Sequence, residues 1–243
     1  EPRDYQIEAF VDAVRYNRGL FISPTASGKS FIIYMIMRWH LKPTLLIVPT
    51  TTLVHQMYSD FEDYGFNSEK YCHKIYSGQD KKTDKPIVIT TWQSIYKMRK
   101  DWFKQFDVVI GDEAHLFKAK SLTSILTKLE DCKYRYGFTG TLDGTQTHKL
   151  VLEGLFGPAQ KVTTTKELMD QKHLADFKIK ILALNYEDVT RKLVAKMNYQ
   201  DEMDFLVSHE GRNKFIKNLA LSLEGNTLLL FQYVEKHGRI LEQ

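Results

Sequence analysis

The segment Ser23–Ser30, which reads Ser-Pro-Thr-Ala-Ser-Gly-Lys-Ser, constrains the fold of this 243-residue chain more than any other feature. It follows the short apolar run 19–22 and precedes the apolar, helix-forming run 31–37. A buried strand, a tight loop and a helix in this order direct backbone N–H groups and the helix dipole at a phosphate group. The pattern predicts that Lys29 contacts the β- and γ-phosphates of a nucleotide and that the Ser30 hydroxyl binds Mg²⁺.

Composition limits the class of protein. Apolar residues make up 43% of the chain, which is ordinary for a globular protein. The net charge of +4 permits a polyanionic partner without requiring one. Cys72 and Cys132 lack the spacing of a zinc site or a disulfide framework, so a reducing cytoplasm is expected. Neither a membrane span nor a leader peptide is expected, and the chain is expected to be an excised fragment of a longer protein.

Short apolar runs alternate with helical segments up to residue 138. This order predicts an α/β fold with a parallel, doubly wound sheet. Polar residues follow these runs, and open α/β sheets bind their ligands at the carboxyl ends of their strands. We therefore expect one composite site at that edge. The predicted strands are 19–22, 44–48, 71–76, 86–91, 106–111 and 134–138.

Two adjacent carboxylates, Asp112 and Glu113, follow one of the apolar strands. Because unpaired carboxylates at such a position are costly, they indicate a bound cation. Asp112 would hold Mg²⁺ through water, and Glu113 would polarise an attacking water molecule. His115 fits two interpretations, an interdomain sensor or a polar residue whose hydrogen bonds are satisfied locally.

A second set of polar residues follows two other strands. The threonines at 50–52 open a helix that carries Gln56 near its start, and the segment 90–94 contains Thr90 and Gln93. Capping of the helix is the preferred interpretation of the first group, because Thr side chains accept hydrogen bonds from free N–H groups. The alternative is that hydroxyls and helix-start amides hold a nucleic-acid phosphate.

Together and in this order, these segments resemble the motor core of superfamily 2 helicases. Ser23 and Ala26 depart from the pattern, because glycine is common at both positions. The resemblance implies a RecA-like fold for the first motor domain. The matching segments are the adenine-recognition motif (3–6), motif I (23–30), motif Ia (49–56), the motif that contacts the tracked strand (90–94), the DEAH box of motif II (112–115) and motif III (139–141).

The resemblance assigns a role to each matching residue. Gln6 would read the adenine edge, and Arg3 would stack near the base. The residues implied in nucleotide binding are Arg3, Gln6, Pro24, Thr25, Ala26, Ser27, Gly28, Lys29 and Ser30. Those implied in catalysis are Lys29, Asp112 and Glu113, with Ser30 and Asp112 as Mg²⁺ ligands. Those implied in coupling are His115, Thr139, Gly140 and Thr141, and those implied in nucleic-acid contact are Thr51, Thr52, Gln56, Thr90 and Gln93.

Within the superfamily, the chain is most similar to the group of restriction-enzyme motor subunits, XPB-like helicases and a phage recombination helicase. The segments 162–169 and 212–214 contribute to this similarity. The resemblance implies an ATP-dependent DNA helicase or translocase that uses ATP and Mg²⁺. It would act on single-stranded or branched DNA with little sequence preference, in recombination or repair, with recombination or replication proteins as partners. If encoded by a phage, it would work in the host cytoplasm.

Three alternatives stay open. The chain could be an RNA helicase, a restriction-enzyme motor subunit that translocates without separating strands, or a nucleotide-gated DNA-binding module without turnover. Glu113 argues against the last, because binding alone needs no water-activating carboxylate.

The resemblance also predicts the division of the chain. Residues 1–161 would form the first RecA-like domain, 162–176 a linker, and 177–243 the incomplete start of a second RecA-like domain. Strands are expected over 177–184 and 226–231. Motifs V and VI of the second domain, with arginines that stabilise the transition state, would lie beyond Gln243. Since such an arginine contributes ~10³–10⁵ in rate, this chain alone is expected to hydrolyse ATP weakly.

Overall fold

The computed structural model describes residues 1–116, 119–142, 146–175 and 178–242. The chain forms two compact units, Glu1–Asp176 and Phe177–Gln243. The expected limit between the linker and the last part, at 176 and 177, lies outside the described residues.

The first unit is built on a seven-stranded sheet whose paired strands are all parallel. Its strands are β1 (Arg18–Ile22), β2 (Thr44–Val48), β3 (Cys72–Ile75), β4 (Ile87–Thr91), β5 (Val108–Gly111), β6 (Tyr134–Thr139) and β7 (Ala159–Lys161). Their order across the sheet is β3-β4-β2-β5-β6-β1-β7. The predicted α/β, doubly wound fold is confirmed. Strand β7 was not predicted, because three residues are too few to show a periodic pattern.

Helices cover both faces of the sheet. They are α1 (Asp4–Tyr16), α2 (Lys29–His40), α3 (Thr51–Asp63), α4 (Ser68–Tyr71), α5 (Trp92–Ile95), α6 (Lys100–Phe103), α7 (Ala119–Lys128), α8 (Gln146–Phe156) and α9 (Thr165–Asp170), with a 3-10 turn at Ala114–Leu116. Among the described residues, no helix combines the length and apolar character that crossing a membrane requires.

The apolar residues of the strands serve two cores, one on each face of the sheet. On β2, Leu46 and Val48 pack in the core that contains residues of α1, α2 and α3. Leu45 and Ile47, which alternate with them, pack in the core that contains residues of α5, α6, α7 and α8. Burial on both faces explains why the strand residues read as continuous apolar runs.

The substitution Gly137→Ala tests the packing between β6 and α8. A Cβ at Gly137 would stand 2.8 Å from Cδ2 of Phe156 and 2.9 Å from Cδ1 of Leu20. We expect the free energy of unfolding to fall by about 1–3 kcal/mol in chemical denaturation, because a filled core tolerates no added methyl group. The control is Gly154→Ala on the exposed face of α8, where a Cβ meets nothing within 4 Å. It should stabilise by about 0.4–1 kcal/mol, and equal losses in both variants would contradict the packing described.

The described part of the expected linker lies within the first unit. The backbone N–H of Val162 donates to the carbonyl of Ile22 at 2.9 Å, next to the pairing of β1 with β7. The side chain of Leu168, on α9, is fully buried. The division into a first motor domain, a linker and a second domain stays a prediction.

The second unit is helical in its described part. Its helices are α10 (Asp188–Val194), α11 (Tyr199–Ser208), α12 (Glu210–Ser222) and α13 (Arg239–Glu242), with a π-helical turn at Val234–Gly238. The sequence predicts a helix over 199–223 that is interrupted near Gly211. The interruption falls at His209, whose Nδ1 accepts the N–H of Arg212 at 3.1 Å and caps α12.

The strands predicted over 177–184 and 226–231 are not formed. Phe177 lies outside the described residues, and the other residues of both segments have no strand conformation. A strand is stable only beside a hydrogen-bonded neighbour, and the described residues of this unit pair with none. The apolar composition of 226–231 favours a strand, but the described residues provide no neighbouring strand with which this segment could pair.

Candidate functional site

Polar segments follow five neighbouring strands at one edge of the sheet. The segments after β5, β6 and β1 begin with Asp112, Gly140 and Ser23, and they contain the expected phosphate-binding, metal-binding and catalytic residues. The segments after β4 and β2 contain the expected nucleic-acid residues except Thr90, which lies inside β4. Because β4, β2, β5, β6 and β1 are consecutive in the sheet, the two sets lie side by side along its carboxyl edge.

The loop 23–28 is held by its own serines. The hydroxyl groups of Ser23 and Ser27 lie 2.6 Å apart, and the Ser27 hydroxyl donates to the carbonyl of Pro24 at 2.6 Å. Serine in place of glycine at position 23 thus adds a hydrogen bond inside the loop. Ala26 has a φ of 64° and Gly28 a φ of 76°, both in the left-handed region. Alanine is strained there, which is a physical reason for glycine at position 26 in similar sequences.

Helix α1 is tied to this loop by Gln6, whose side chain is buried. Its Nε2 donates to the carbonyl of Ser27 at 3.0 Å, and its Oε1 accepts the N–H of Arg3 at 2.9 Å. The hydroxyl of Tyr5 donates to the same Ser27 carbonyl at 2.8 Å. Tyr5 lies in the expected adenine-recognition motif, but the sequence predicts no role for it. The sequence predicts Asp4 as the N-cap of α1, because Asp side chains accept hydrogen bonds from free N–H groups. This prediction is wrong by one position, since Arg3 is the N-cap residue.

An open pocket of about 300 Å³ lies beside the loop. Two aromatic rings, those of Phe31 and Tyr64, form part of its wall and meet edge to face at 4.9 Å between centroids. The size and lining suit a planar base, and Gln6 Oε1 keeps one lone pair for a donor on such a base. The lining residues are Glu1, Arg3, Gln6, Ala26, Gly28, Phe31 and Tyr64.

An ion pair joins Lys29 to Glu113. The distance from Lys29 Nζ to Glu113 Oε1 is 2.7 Å, and both side chains are largely buried. Lys29 Nζ also donates to the carbonyl of Ser23 at 3.4 Å. Glu113 has a φ of 49°, which strains a residue with a side chain. The phosphate loop and the DEAH box are far apart in the chain. The ion pair therefore brings the two motifs into direct contact.

Asp112 is buried next to Glu113. Its Oδ1 accepts the N–H of Glu113 at 2.9 Å. Burial, followed by the charge of the Glu113 carboxylate, raises the pKa of Asp112 to about 6. A cation at this carboxylate would remove the penalty, so Asp112 fits the role of a Mg²⁺ ligand.

The chemistry of the site suits Mg²⁺ better than a metal held by protein alone. Within the described ranges, no group of three or more His, Cys, Asp and Glu side chains could hold a metal ion. Mg²⁺ is ordinarily bound by one or two protein ligands together with water and nucleotide phosphates. Ser30, the second expected ligand, has its hydroxyl 2.8 Å from the hydroxyl of Tyr64. No sequence signal links these residues, which are far apart in the chain.

His115 connects the DEAH box to motif III. Its Nδ1 lies 2.7 Å from Oγ1 of Thr139 and 3.4 Å from Oε2 of Glu113. The Thr139 hydroxyl donates to the carbonyl of Thr141 at 2.7 Å, so its oxygen accepts a hydrogen bond from Nδ1–H of His115. A Cβ at Gly140 would lie 3.9 Å from Lys29 Nζ. His115, Thr139 and Thr141 thus form a chain of contacts that begins at Glu113, and Gly140 lies beside Lys29.

The expected nucleic-acid residues divide into exposed and buried ones. Thr50 accepts the N–H of Leu53 at 3.3 Å and caps α3, so the preferred interpretation holds for this residue. Thr51, Thr52 and Gln56 are exposed on the first turns of α3, and Gln93 is exposed beside them, with its Nε2 donating to the carbonyl of Pro49 at 3.3 Å. Thr90 departs from expectation. It is fully buried and its hydroxyl donates to the carbonyl of Thr91, away from the surface.

Comparison with known proteins gives consistent similarities. Residues 1–144 match the family described as the type III restriction enzyme, res subunit. The chain is 36% identical to the ATP-dependent DNA helicase UvsW of Enterobacteria phage T4, over 99% of this chain and 50% of that protein. It is 30% identical to the DNA 3'-5' translocase XPB2 of Sulfurisphaera tokodaii, over 79% of this chain and 42% of that protein.

A solved structure shows the same similarity. The crystal structure of T4 UvsW matches with a TM-score of 0.62 and 33% identity, over 99% of this chain and 49% of that chain. The chain thus spans about half the length of the curated relatives it matches.

Proposed function

The chain belongs to the family of the type III restriction enzyme res subunit, within the superfamily 2 helicases, and on this basis we propose that it is the ATP-binding part of a DNA translocase or helicase. The observation that carries the proposal is the Lys29–Glu113 contact of 2.7 Å beside the phosphate loop. Similarity to an ATP-dependent DNA helicase of a phage supports DNA as the substrate. The proposal extends to a role in recombination or repair on branched DNA, in the cytoplasm of a phage host and alongside recombination or replication proteins.

The geometry suggests how these residues divide the work. On nucleotide binding, Lys29 would exchange its contact with Glu113 for the phosphate oxygens, which compete for the same ammonium group. Glu113 is then free to orient a water molecule and accept its proton. Ser30 and Asp112 would hold Mg²⁺, which supplies charge neutralisation at the β- and γ-phosphates. His115 and Thr139 would couple changes in the contacts of Glu113 to the segment that follows β6, through the hydrogen bonds His115–Thr139 and Thr139–Thr141.

The exposed residues of α3 and Gln93 would hold the tracked strand. Contacts from Thr51, Thr52 and helix-start N–H groups address phosphates, which carry no sequence information. Little sequence preference is therefore expected. Gln56 and Gln93 would add contacts from the same surface.

ATP turnover in the full-length protein tests the proposal. We expect stimulation by single-stranded DNA, stronger stimulation by branched DNA, and little by RNA. Stimulation by RNA alone would make the protein an RNA helicase, and turnover on duplex DNA without strand separation would favour a restriction-type motor. Absence of turnover with all nucleic acids would leave a nucleotide-gated DNA-binding module and contradict the proposal.

The double substitution Thr51→Ala and Thr52→Ala tests the DNA surface. We expect roughly three- to tenfold weaker binding of single-stranded DNA, because two hydroxyl donors to phosphate are lost. Since threonine carries no charge, the slope of log affinity against log salt concentration should not change. Ser59→Ala, an exposed hydroxyl further along α3, is the matched control. A changed slope, or an equal loss in the control, would place the DNA elsewhere.

A further inference from the structure

The end of α3 reaches the nucleotide site through one side chain. Tyr64 directly follows the last residue of α3, and its hydroxyl lies 2.8 Å from the hydroxyl of Ser30. Tyr64 also lines the pocket expected to hold the base. The first turn of the same helix carries Thr51 and Thr52 on the exposed surface expected to hold DNA. Helix α3 therefore touches both candidate sites.

The Tyr64 ring is held in place by aromatic neighbours on α2. Its centroid lies 4.9 Å from that of Phe31 and 5.3 Å from that of Tyr34. The backbone N–H of Tyr64 donates to the carbonyl of Asp60 at 3.0 Å, in the last turn of α3. These contacts connect the Tyr64 ring to α2 and its backbone to the last turn of α3.

Building on the proposed function, we propose that Tyr64 is a positioning residue that couples the nucleotide site to the DNA surface through Ser30. The Ser30 hydroxyl has one proton and two lone pairs, and a metal ligand must turn one lone pair toward the cation. The hydrogen bond with Tyr64 therefore differs between the states with and without Mg²⁺·nucleotide. A contact that differs between two states is what allows one ligand to change the affinity for another.

The strength of the hydrogen bond between Ser30 and Tyr64 sets the expected size of the coupling between nucleotide and DNA binding. A neutral hydrogen bond contributes enough to change a binding constant by roughly two- to tenfold. By thermodynamic linkage, the factor by which nucleotide changes DNA affinity equals the factor by which DNA changes nucleotide affinity. The inference therefore predicts one coupling factor that can be measured from either side.

Binding measurements on the full-length protein, with Tyr64→Phe, test the inference. The readouts are the affinity for a fluorescent ADP with and without Mg²⁺, and the affinity for single-stranded DNA with and without a non-hydrolysable ATP analogue. We expect Tyr64→Phe to reduce both the gain from Mg²⁺ and the coupling to DNA by roughly two- to tenfold. Tyr34→Phe is the matched control, since its hydroxyl belongs to the same aromatic cluster and contacts the Tyr64 carbonyl, at 3.5 Å, rather than Ser30. It should change neither quantity.

A double-mutant cycle with Ser30→Ala separates positioning from packing. If Tyr64 acts through Ser30, then Tyr64→Phe adds no further loss of coupling in the Ser30→Ala background. Additive losses, or equal losses in Tyr34→Phe, would overturn the inference.

The same data distinguish failure of the inference from failure of the proposed function. Coupling that is present in the unmodified protein and survives in Tyr64→Phe overturns the inference alone. If the unmodified protein binds neither nucleotide nor DNA, the proposed function fails and the inference fails with it.

Discussion

Glu113→Gln is expected to lower the rate of DNA-stimulated ATP hydrolysis by roughly 10²–10⁴-fold. The carboxylate lies 2.7 Å from Lys29 and 3.4 Å from the His115 ring, at the junction of the phosphate loop and motif III. A glutamine of the same size keeps the shape of the site but accepts no proton from water. Single-turnover hydrolysis in the full-length protein measures this loss without interference from product release.

The same variant should bind nucleotide at least as well as the unmodified protein. Glutamine releases Lys29 from its ion pair, so phosphates no longer compete with a carboxylate for the ammonium group. It also removes one of the two largest causes of the raised pKa of Asp112. Slow turnover with undiminished binding therefore distinguishes loss of the base from collapse of the site.

The control for Glu113→Gln is Glu130→Gln. Glu130 pairs with Lys100 on the surface, with both side chains about half exposed, so its loss should leave turnover unchanged. If Glu113→Gln keeps more than a tenth of the normal rate, the proton must pass to another group, and Glu113 would have a structural role in holding Lys29.

Local patterns explain how much of the fold was predictable. Six of the seven strands were expected, four of them because they are continuous apolar runs, whereas the runs at 71–76 and 134–138 mix apolar with polar residues. The phosphate loop was recognisable because its residues are contiguous between a strand and a helix. A strand also needs a hydrogen-bonded neighbour, which a local pattern does not reveal. The strand prediction for 226–231 was therefore wrong, because this segment has the composition of a strand but no strand conformation.

Long-range contacts limited what could be predicted about the site. The Lys29–Glu113 ion pair and the Ser30–Tyr64 hydrogen bond join segments that only the sheet order brings together. Backbone conformation was equally hidden, since nothing in the sequence marks Glu113 as a residue with positive φ. Thr90 shows the opposite error. A polar residue at the end of a strand was expected at the surface, but its hydroxyl is satisfied by the neighbouring carbonyl.

Gly28→Ala is expected to weaken nucleotide binding at least tenfold, a factor that corresponds to about 1.4 kcal/mol. Two effects combine at this position. The φ of 76° lies in the left-handed region, where alanine is strained. In addition, an added Cβ would collide with Nε2 of Gln6. Gln6 cannot move aside without losing its bond to the Ser27 carbonyl, so the loop or the start of α1 must shift.

Two further variants separate strain from collision. Gly78→Ala is the matched control, because Gly78 has a φ of 83° but a Cβ there meets nothing within 4 Å. It should lose only the roughly 1 kcal/mol of stability that the backbone conformation costs. In a Gln6→Ala background the collision is absent, so Gly28→Ala should there lose no more stability in chemical denaturation than Gly78→Ala does. If the excess loss persists without the Gln6 side chain, the contact between α1 and the loop does not account for the need for glycine. The cause would then lie within the loop 23–28 itself, whose conformation Gly78 does not share.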